Sequence, residues 1–214
     1  MWIDSSRSII ENLYYISGIV IAIAALIGLI QIILTKKEMQ VRFRRESVAA
    51  GTQQSEVYSD NIMPLQDKLT KELIPLKLPE KKFKVENFSL SSFKRQCSTD
   101  EYKLYLRALL KNIDLFTAIN NKMISFASYF VNGIADERAA YCSLSSAYCD
   151  YIAVYYPFFV LIEETSKSAD EPELLVLYRI WKNRMDKTNV INNIKDLKDK
   201  LNNIKDAEIK TITT

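Results

Sequence analysis

Residues 13–34 read LYYISGIVIAIAALIGLIQIIL and contain no charged side chain. As an α-helix this stretch would be about 33 Å long, at about 1.5 Å per residue, which is enough to cross the hydrocarbon core of a bilayer. It is too long for the apolar part of a signal peptide, acidic residues precede it, and no small-x-small cleavage site follows. We therefore predict a retained transmembrane helix over residues 13–35.

The flank after the apolar stretch is strongly basic, whereas residues 1–12 carry mixed charge. The positive-inside rule then predicts a single-pass protein with a short extracytoplasmic N-terminus (1–12) and a cytoplasmic C-terminal part. Basic side chains at this position also attract anionic lipid, at about 1 kcal/mol each. A nucleic-acid patch is the alternative, although such a cluster usually only determines topology. The predicted lipid contacts are Lys36, Lys37, Arg42, Arg44 and Arg45.

Small and polar residues inside the apolar stretch follow one stripe of the predicted helix. They recur at spacings of seven, four, three and four residues, and Ile21 completes an a/d-type pattern. Ala24 and Gly28 form a small-xxx-small pair, which lets two helix backbones approach closely. The Gln31 amide would need a partner helix or water, unless it reaches the interface; chance is the alternative for the stripe as a whole. The predicted membrane-helix interface or pore lining is Ser17, Ala24, Gly28, Gln31 and Thr35.

The composition predicts an all-α protein. The chain has 214 residues with only 4 Gly and 5 Pro, which favours long helices over a loop-rich β fold. Its net charge of +3 is too small to indicate a nucleic-acid partner by itself. After the membrane helix we predict a basic juxtamembrane helical stalk (36–75), a connector (76–99), a cytoplasmic helical bundle (100–190), and a C-terminal amphipathic helix and tail (191–214).

Several local signals define the predicted bundle. Ser98 or Thr99 followed by two carboxylates predicts a helix start, with a helix from Glu101 to Met123 and a break at Gly133. Residues 139–162 are apolar enough to be considered as a second membrane helix. A mid-span aspartate, a proline and missing basic flanks favour a buried helix of the bundle instead.

The C-terminal segment carries a second apolar stripe. Its residues are spaced four, three, four and three apart, which is an a/d pattern over two heptads. Two heptads are too few to distinguish a coiled coil from a helix that docks on the bundle or is marginally ordered. The stripe consists of Val190, Ile194, Leu197, Leu201 and Ile204.

The residues that most enzymes need are missing from the sequence. With no His, the chain cannot form a Ser-His-Asp triad, a Cys-His dyad or a His-ligated metal site. Three Cys without a C-x-x-C pair argue against a disulfide framework or zinc site, so we predict reduced, buried thiols. Four scattered Gly cannot form a phosphate-binding loop. We predict no enzyme activity, no cofactor, and no catalytic or metal-binding residue.

The layout resembles a known type of protein. LYYISGIVIAIAALIGLIQIILTKKEMQVRFRRES followed by YSDNIMPL is similar to small bacterial single-pass membrane proteins of unassigned function, some from phage-defence loci. The arrangement also resembles the membrane accessory protein of Cas13b-type CRISPR systems. That resemblance implies a HEPN-like bundle, a ring that permeabilises the bacterial inner membrane, and a role in antiviral defence. HEPN ribonucleases use an Arg-x4-6-His motif, and no His can follow Arg107 or Arg138 here, so nuclease chemistry should be absent.

Three functional hypotheses follow. The first is a self-assembling, non-enzymatic antiphage-defence protein that permeabilises or depolarises the inner membrane as a homo-oligomer. The second is a membrane-tethered adaptor or scaffold that docks a cytoplasmic partner, such as another component of a defence system. The third, more weakly supported, is a catalytically inactive HEPN-like module that binds RNA.

Overall fold

The computed structural model describes the backbone of residues 2–79, 81–166 and 171–211, and the side chains of 14, 16–79, 81–164 and 171–202. Every regular element in these ranges is helical, which confirms the all-α class. The chain divides into two units, Met1–Glu46 and Ser47–Thr214. Its helices are α1 (Trp2–Val57), a π-helical turn (Tyr58–Ile62), α2 (Met63–Leu73), a 3-10 turn (Ile74–Leu76), α3 (Leu90–Gln96), α4 (Thr99–Lys111), α5 (Ile113–Val131), α6 (Glu137–Ser166) and α7 (Glu173–Thr211).

The first unit consists of α1 up to Glu46. Each of its large apolar side chains between Ile16 and Leu34 exposes more than half of its surface. Among the described helices, one is long and apolar enough to cross a membrane, and it lies near the N-terminus as the sequence predicts. Such a helix needs a bilayer or partner helices to cover its apolar surface.

The second unit is a bundle in which α6 occupies the centre and packs against α3, α4, α5 and α7. Aromatic rings dominate the interior. Trp181 of α7 is fully buried, with its ring centre 5.1 Å from that of Tyr148 and 6.2 Å from that of Phe126. Rings of this size bury large apolar areas and add favourable tilted contacts, so they are the main source of cohesion in this core.

The bundle begins earlier than the sequence predicted. The stalk was expected to extend to residue 75, but only residues up to 46 belong to the first unit. Tyr58, Ile62, Leu69 and Leu73 are buried in the core, because their spacing of four, seven and four places them on one helix face. The boundary predicted at residue 75 is therefore wrong, and residues 47–75 are part of the bundle.

The predicted connector, residues 76–99, is also part of the core. Phe83, Phe88 and Phe93 are buried, and the last of these lies on α3. The connector is fixed to α6 at two backbone positions. The Phe83 amide donates to the carbonyl of Ala153 at 3.3 Å, and the Tyr156 hydroxyl donates to the carbonyl of Asn87 at 2.7 Å.

The helix predicted from Glu101 to Met123 is interrupted. Ser98 caps its start with a reciprocal capping box to Glu101, as predicted. The helix stops at Asn112, whose side-chain amide donates to the carbonyl of Ala108 at 3.0 Å, and α5 starts at the next residue. A side-chain amide that satisfies a terminal carbonyl lets the chain leave the helix at little cost.

Residues 139–162 form a buried helix of the bundle, which confirms the favoured interpretation. Tyr148, Ile152 and Tyr156 on α6 are each fully inaccessible. Gly133 lies in the break before α6 with φ +70°, as expected for a residue without a β-carbon. Of the cysteines, Cys149 is buried but Cys142 is exposed and Cys97 is half-buried, so the prediction that all three are buried is wrong.

The predicted boundary at residue 190 is absent, because α7 continues without interruption from Glu173 to Thr211. Its N-terminal part is buried through Leu174, Leu177 and Trp181. Beyond residue 189 the described stripe residues are exposed, Leu197 by 65%. The Ile204 side chain and residues 212–214 of the predicted tail lie outside the described part of the chain.

Candidate self-association face and candidate pocket

The first candidate site is the stripe of small and polar residues on α1. At about 100° per residue, these five residues fall within about 60° of the helix circumference. Gly28, Gln31 and Thr35 line one shallow groove of about 740 Å³, which continues to Met39. The Ser17 end lies in a separate groove with Gly18 and Ile21. The stripe residues are Ser17, Ala24, Gly28, Gln31 and Thr35.

The polar groups on this face differ in how they are satisfied. The Ser17 hydroxyl donates to the carbonyl of Tyr14 at 2.8 Å, so it needs no partner from another helix. The Gln31 side chain is exposed, and its amide has no hydrogen bond within the described part of the chain. A β-carbon built on Gly28 would meet nothing within 4 Å. The face is therefore open at Gly28, with the exposed Gln31 amide one turn away.

The predicted lipid-binding residues surround α1. Lys37, Arg42 and Arg45 flank Leu34 and Val41 in one groove, whereas Lys36 lies in the groove that contains Gly28. Arg44, two residues after Arg42, lies about 160° away from it. Arg42 pairs with Glu46 at 2.8 Å, but both side chains are more than half exposed, so the pair contributes little. The five basic side chains are therefore distributed around the whole circumference of α1.

Buried ionisable groups in the bundle are kept neutral by their surroundings. Burial raises the pKa of the Cys149 thiol to about 12, so this sulfur is protonated at neutral pH and is a poor nucleophile. Burial also raises the pKa of Tyr58 to about 12, although the Gln66 amide donates to its oxygen. Among the described residues no group of three or more Cys, Asp or Glu is arranged to hold a metal ion.

Sequence reasoning did not identify a pocket in the bundle. Its volume is about 700 Å³, and it is lined by the end of α2, by residues within 74–79, by 81–82, and by α4 and α6. Leu73, Tyr105, Val154 and Phe158 form an apolar wall. The Tyr105 hydroxyl donates to the carbonyl of Pro79 at 3.3 Å, which anchors the rim to α4.

The polar side-chain groups of the pocket are three lysine ammonium groups and the hydroxyls of Thr70, Tyr105 and Tyr155. Lys77, Lys81 and Lys82 stand at its rim, and the hydroxyls of Thr70 and Tyr155 are 2.7 Å apart. The only signal in the sequence was the run of lysines around Pro79. The other lining residues come from segments up to about 90 positions apart, so no local pattern connects them.

Comparison with known proteins gave no match, whether against protein-family models, curated proteins or solved structures.

Proposed function

We propose that this protein is a single-pass membrane protein that self-associates through the Gly28 face of α1 and thereby permeabilises or depolarises the membrane without enzymatic chemistry. The observation that carries the proposal is the open face of α1, where Gly28 leaves room for a second backbone beside the exposed Gln31 amide. Lipid chains are as apolar as leucine, so close packing and interhelical hydrogen bonds drive association there.

The exposed residues around this face support the same proposal. An anchor requires only apolar residues, and α1 supplies them on its other sides, where Leu26 and Ile30 are exposed. The polar residues Ser17, Gln31 and Thr35 share one face with Ala24 and Gly28. Polar groups there add nothing to anchoring, whereas the small-xxx-small pair lets backbones approach closely. The bacterial inner membrane and antiphage defence enter the proposal through the layout resemblance alone.

A matched pair of substitutions tests the proposal. Ala24→Leu and Ala22→Leu make the same chemical change about 160° apart on α1, so only the first blocks the proposed face. Gly28→Leu and Gln31→Leu then probe its open site and its polar group. The readouts are the mass of the full chain in nanodiscs and dye release from vesicles that contain it.

We expect an oligomer and dye release from the native chain and from Ala22→Leu, and loss of both for Ala24→Leu and Gly28→Leu. A monomeric native chain would refute the proposal. So would unchanged oligomer mass and leakage in both Gly28→Leu and Gln31→Leu.

A second candidate function is a tethered adaptor, and the C-terminal part of α7 favours it. Ile194, Leu197 and Leu201 expose about half or more of their surfaces on one stripe, which is typical of a helix that packs on a partner. Replacing residues 1–35 with an unrelated transmembrane helix separates the two functions. An adaptor would keep its activity after this exchange, whereas a protein that acts through the Gly28 face would lose it.

A further inference from the structure

We propose that the pocket between α2, α4 and α6 binds a single-chain anionic amphiphile, of the chemical class of a fatty acid. This inference does not depend on self-association of α1, since every lining residue belongs to the bundle. It follows from three properties of the pocket: its apolar wall, its lysine rim, and hydroxyl groups whose protons already donate within the protein.

The apolar wall fits a hydrocarbon body. Leu73, Val154 and Phe158 line the pocket, and Ile74 at its edge is 68% exposed. A large apolar side chain exposed at a cavity mouth is covered when an apolar ligand enters. A volume of about 700 Å³ lies within the range of about 300–1,000 Å³ that is usual for small-molecule sites.

The rim fits one anionic head. Its described residues include three lysines and no carboxylate. Lys82 is paired with Asp150 at 2.8 Å, and the Lys81 ammonium donates to the carbonyl of Gln96 and lies 5.4 Å from the Phe83 ring centre. The Lys77 ammonium has no hydrogen bond or ion pair with any described residue, so it is the cation most available to an anion.

The three hydroxyls in the pocket have no proton left for a ligand, and that of Tyr105 already donates to the carbonyl of Pro79. The Thr70 hydroxyl donates to the carbonyl of Gln66 at 2.9 Å, so Tyr155 must donate to Thr70 across their 2.7 Å contact. No Asn, Gln, Asp or Glu is among the described lining residues. A nucleobase or sugar would leave its polar edge unsatisfied here, whereas an alkyl chain has no such edge.

Lys77 also allows a clean experimental variant. It follows the 3-10 turn with φ +48°, in the left-handed region where only glycine is free of strain. Lys77→Gly therefore removes the available charge while it relieves the backbone, and it should raise the thermal midpoint of unfolding. A loss of binding in this variant cannot be attributed to unfolding.

The test uses the full chain in phosphatidylcholine nanodiscs, labelled with diazirine-bearing palmitic acid or, as the neutral counterpart, diazirine-bearing hexadecanol. Adducts are mapped by mass spectrometry of peptides. We expect pocket peptides to be labelled about fivefold more by the acid than by the alcohol, the ratio that one favourable lysine contributes near a lipid surface. Excess unlabelled palmitate should abolish this labelling.

Three substitutions test whether the labelling depends on the pocket and on its lysine. Lys77→Gly should reduce acid labelling about fivefold. Val154→Trp, at a 41% exposed position, should fill the cavity and abolish labelling by both probes. Lys122→Gln removes an exposed lysine outside the pocket and should change nothing.

Three results would overturn the proposal. The first is labelling confined to residues 13–35, the second is equal pocket labelling by acid and alcohol, and the third is labelling that persists in Val154→Trp. Pocket labelling by 8-azidoadenosine triphosphate in place of the fatty acid would show a nucleotide site and would overturn it as well.

Discussion

Two tyrosines of α6, three residues apart, should respond with opposite signs to the same substitution. The Tyr148 hydroxyl is fully buried and donates to the carbonyl of Leu174 at 2.9 Å. The Tyr151 hydroxyl is also buried, but it has no partner among the described residues. Replacing each by Phe removes one oxygen atom and leaves the ring in place.

The magnitudes follow from what each oxygen loses or gains. Tyr148→Phe removes a satisfied hydrogen bond, which should lower the free energy of unfolding by about 0.5–1.5 kcal/mol. Tyr151→Phe removes a polar group that gives up hydration without compensation, which should raise it by about 1–3 kcal/mol. The two variants should differ by at least about 1.5 kcal/mol, or about 3–6 °C in Tm for a domain of this size.

Urea unfolding of the full chain in nanodiscs measures both values. The chain has 2 Trp, so a Trp2→Phe background leaves Trp181, fully buried beside Tyr148, as the single fluorescent reporter of the bundle. Tyr102→Phe, at a half-buried ring nearer the surface, serves as the control and should change stability little. The reasoning is refuted if Tyr151→Phe destabilises the bundle as much as Tyr148→Phe does.

Three further predictions concern stability. Ser98→Ala should cost about 1 kcal/mol by removing the cap of α4, measured by the same urea titration. Gly51→Val should cost about 1–3 kcal/mol, because a β-carbon there would meet the backbone oxygen of Asp136 at 2.6 Å, whereas Thr52→Val on the exposed side should not. The bundle should lose stability above about pH 9, because folding raises the pKa of Cys149 from 9.0 to about 12 and that of Tyr58 from 10.0 to about 12. The unfolded chain therefore loses these protons at a lower pH than the folded chain does. A stability that stays constant to pH 12 would contradict this.

The sequence predicted those features that depend on a single local signal. Scarce Gly and Pro predicted the all-α class, and Ser98 or Thr99 followed by two carboxylates predicted the start of α4, where Ser98 is the cap. The uncharged run of residues 13–34 predicted the helix that is long enough to span a membrane. Asp150 and Pro157 were sufficient to favour a buried α6 over a second membrane segment.

The bundle boundary was missed because charged residues are frequent both before and after it. The basic residues near Arg44 dominate the composition before residue 50, and the charged residues between Tyr58 and Leu73 hide an apolar face at helical spacing.

The pocket could not be predicted for a different reason. Its lining residues converge only through tertiary packing, such as the 2.7 Å contact between Thr70 and Tyr155, 85 positions apart.

The break at Asn112 could not be predicted from the sequence, because the spacing of the buried residues continues unchanged across it. Buried Tyr105, Leu109, Phe116 and Ile119 follow one heptad register through the junction of α4 and α5. Asn112 therefore changes the backbone without changing which residues face the core. A pattern that records only apolar spacing contains no trace of such a junction.

That preserved phase bears on how related chains can diverge. Exchanges at Asn112 would alter the junction but leave both helices in register. Loss or gain of one residue there would turn all of α5 by about 100°, and Phe116, Phe126 and the other rings of its inner face would rotate out of the core together. Length changes should therefore be absent from this junction in any functional descendant, although it looks from outside like an ordinary break between helices.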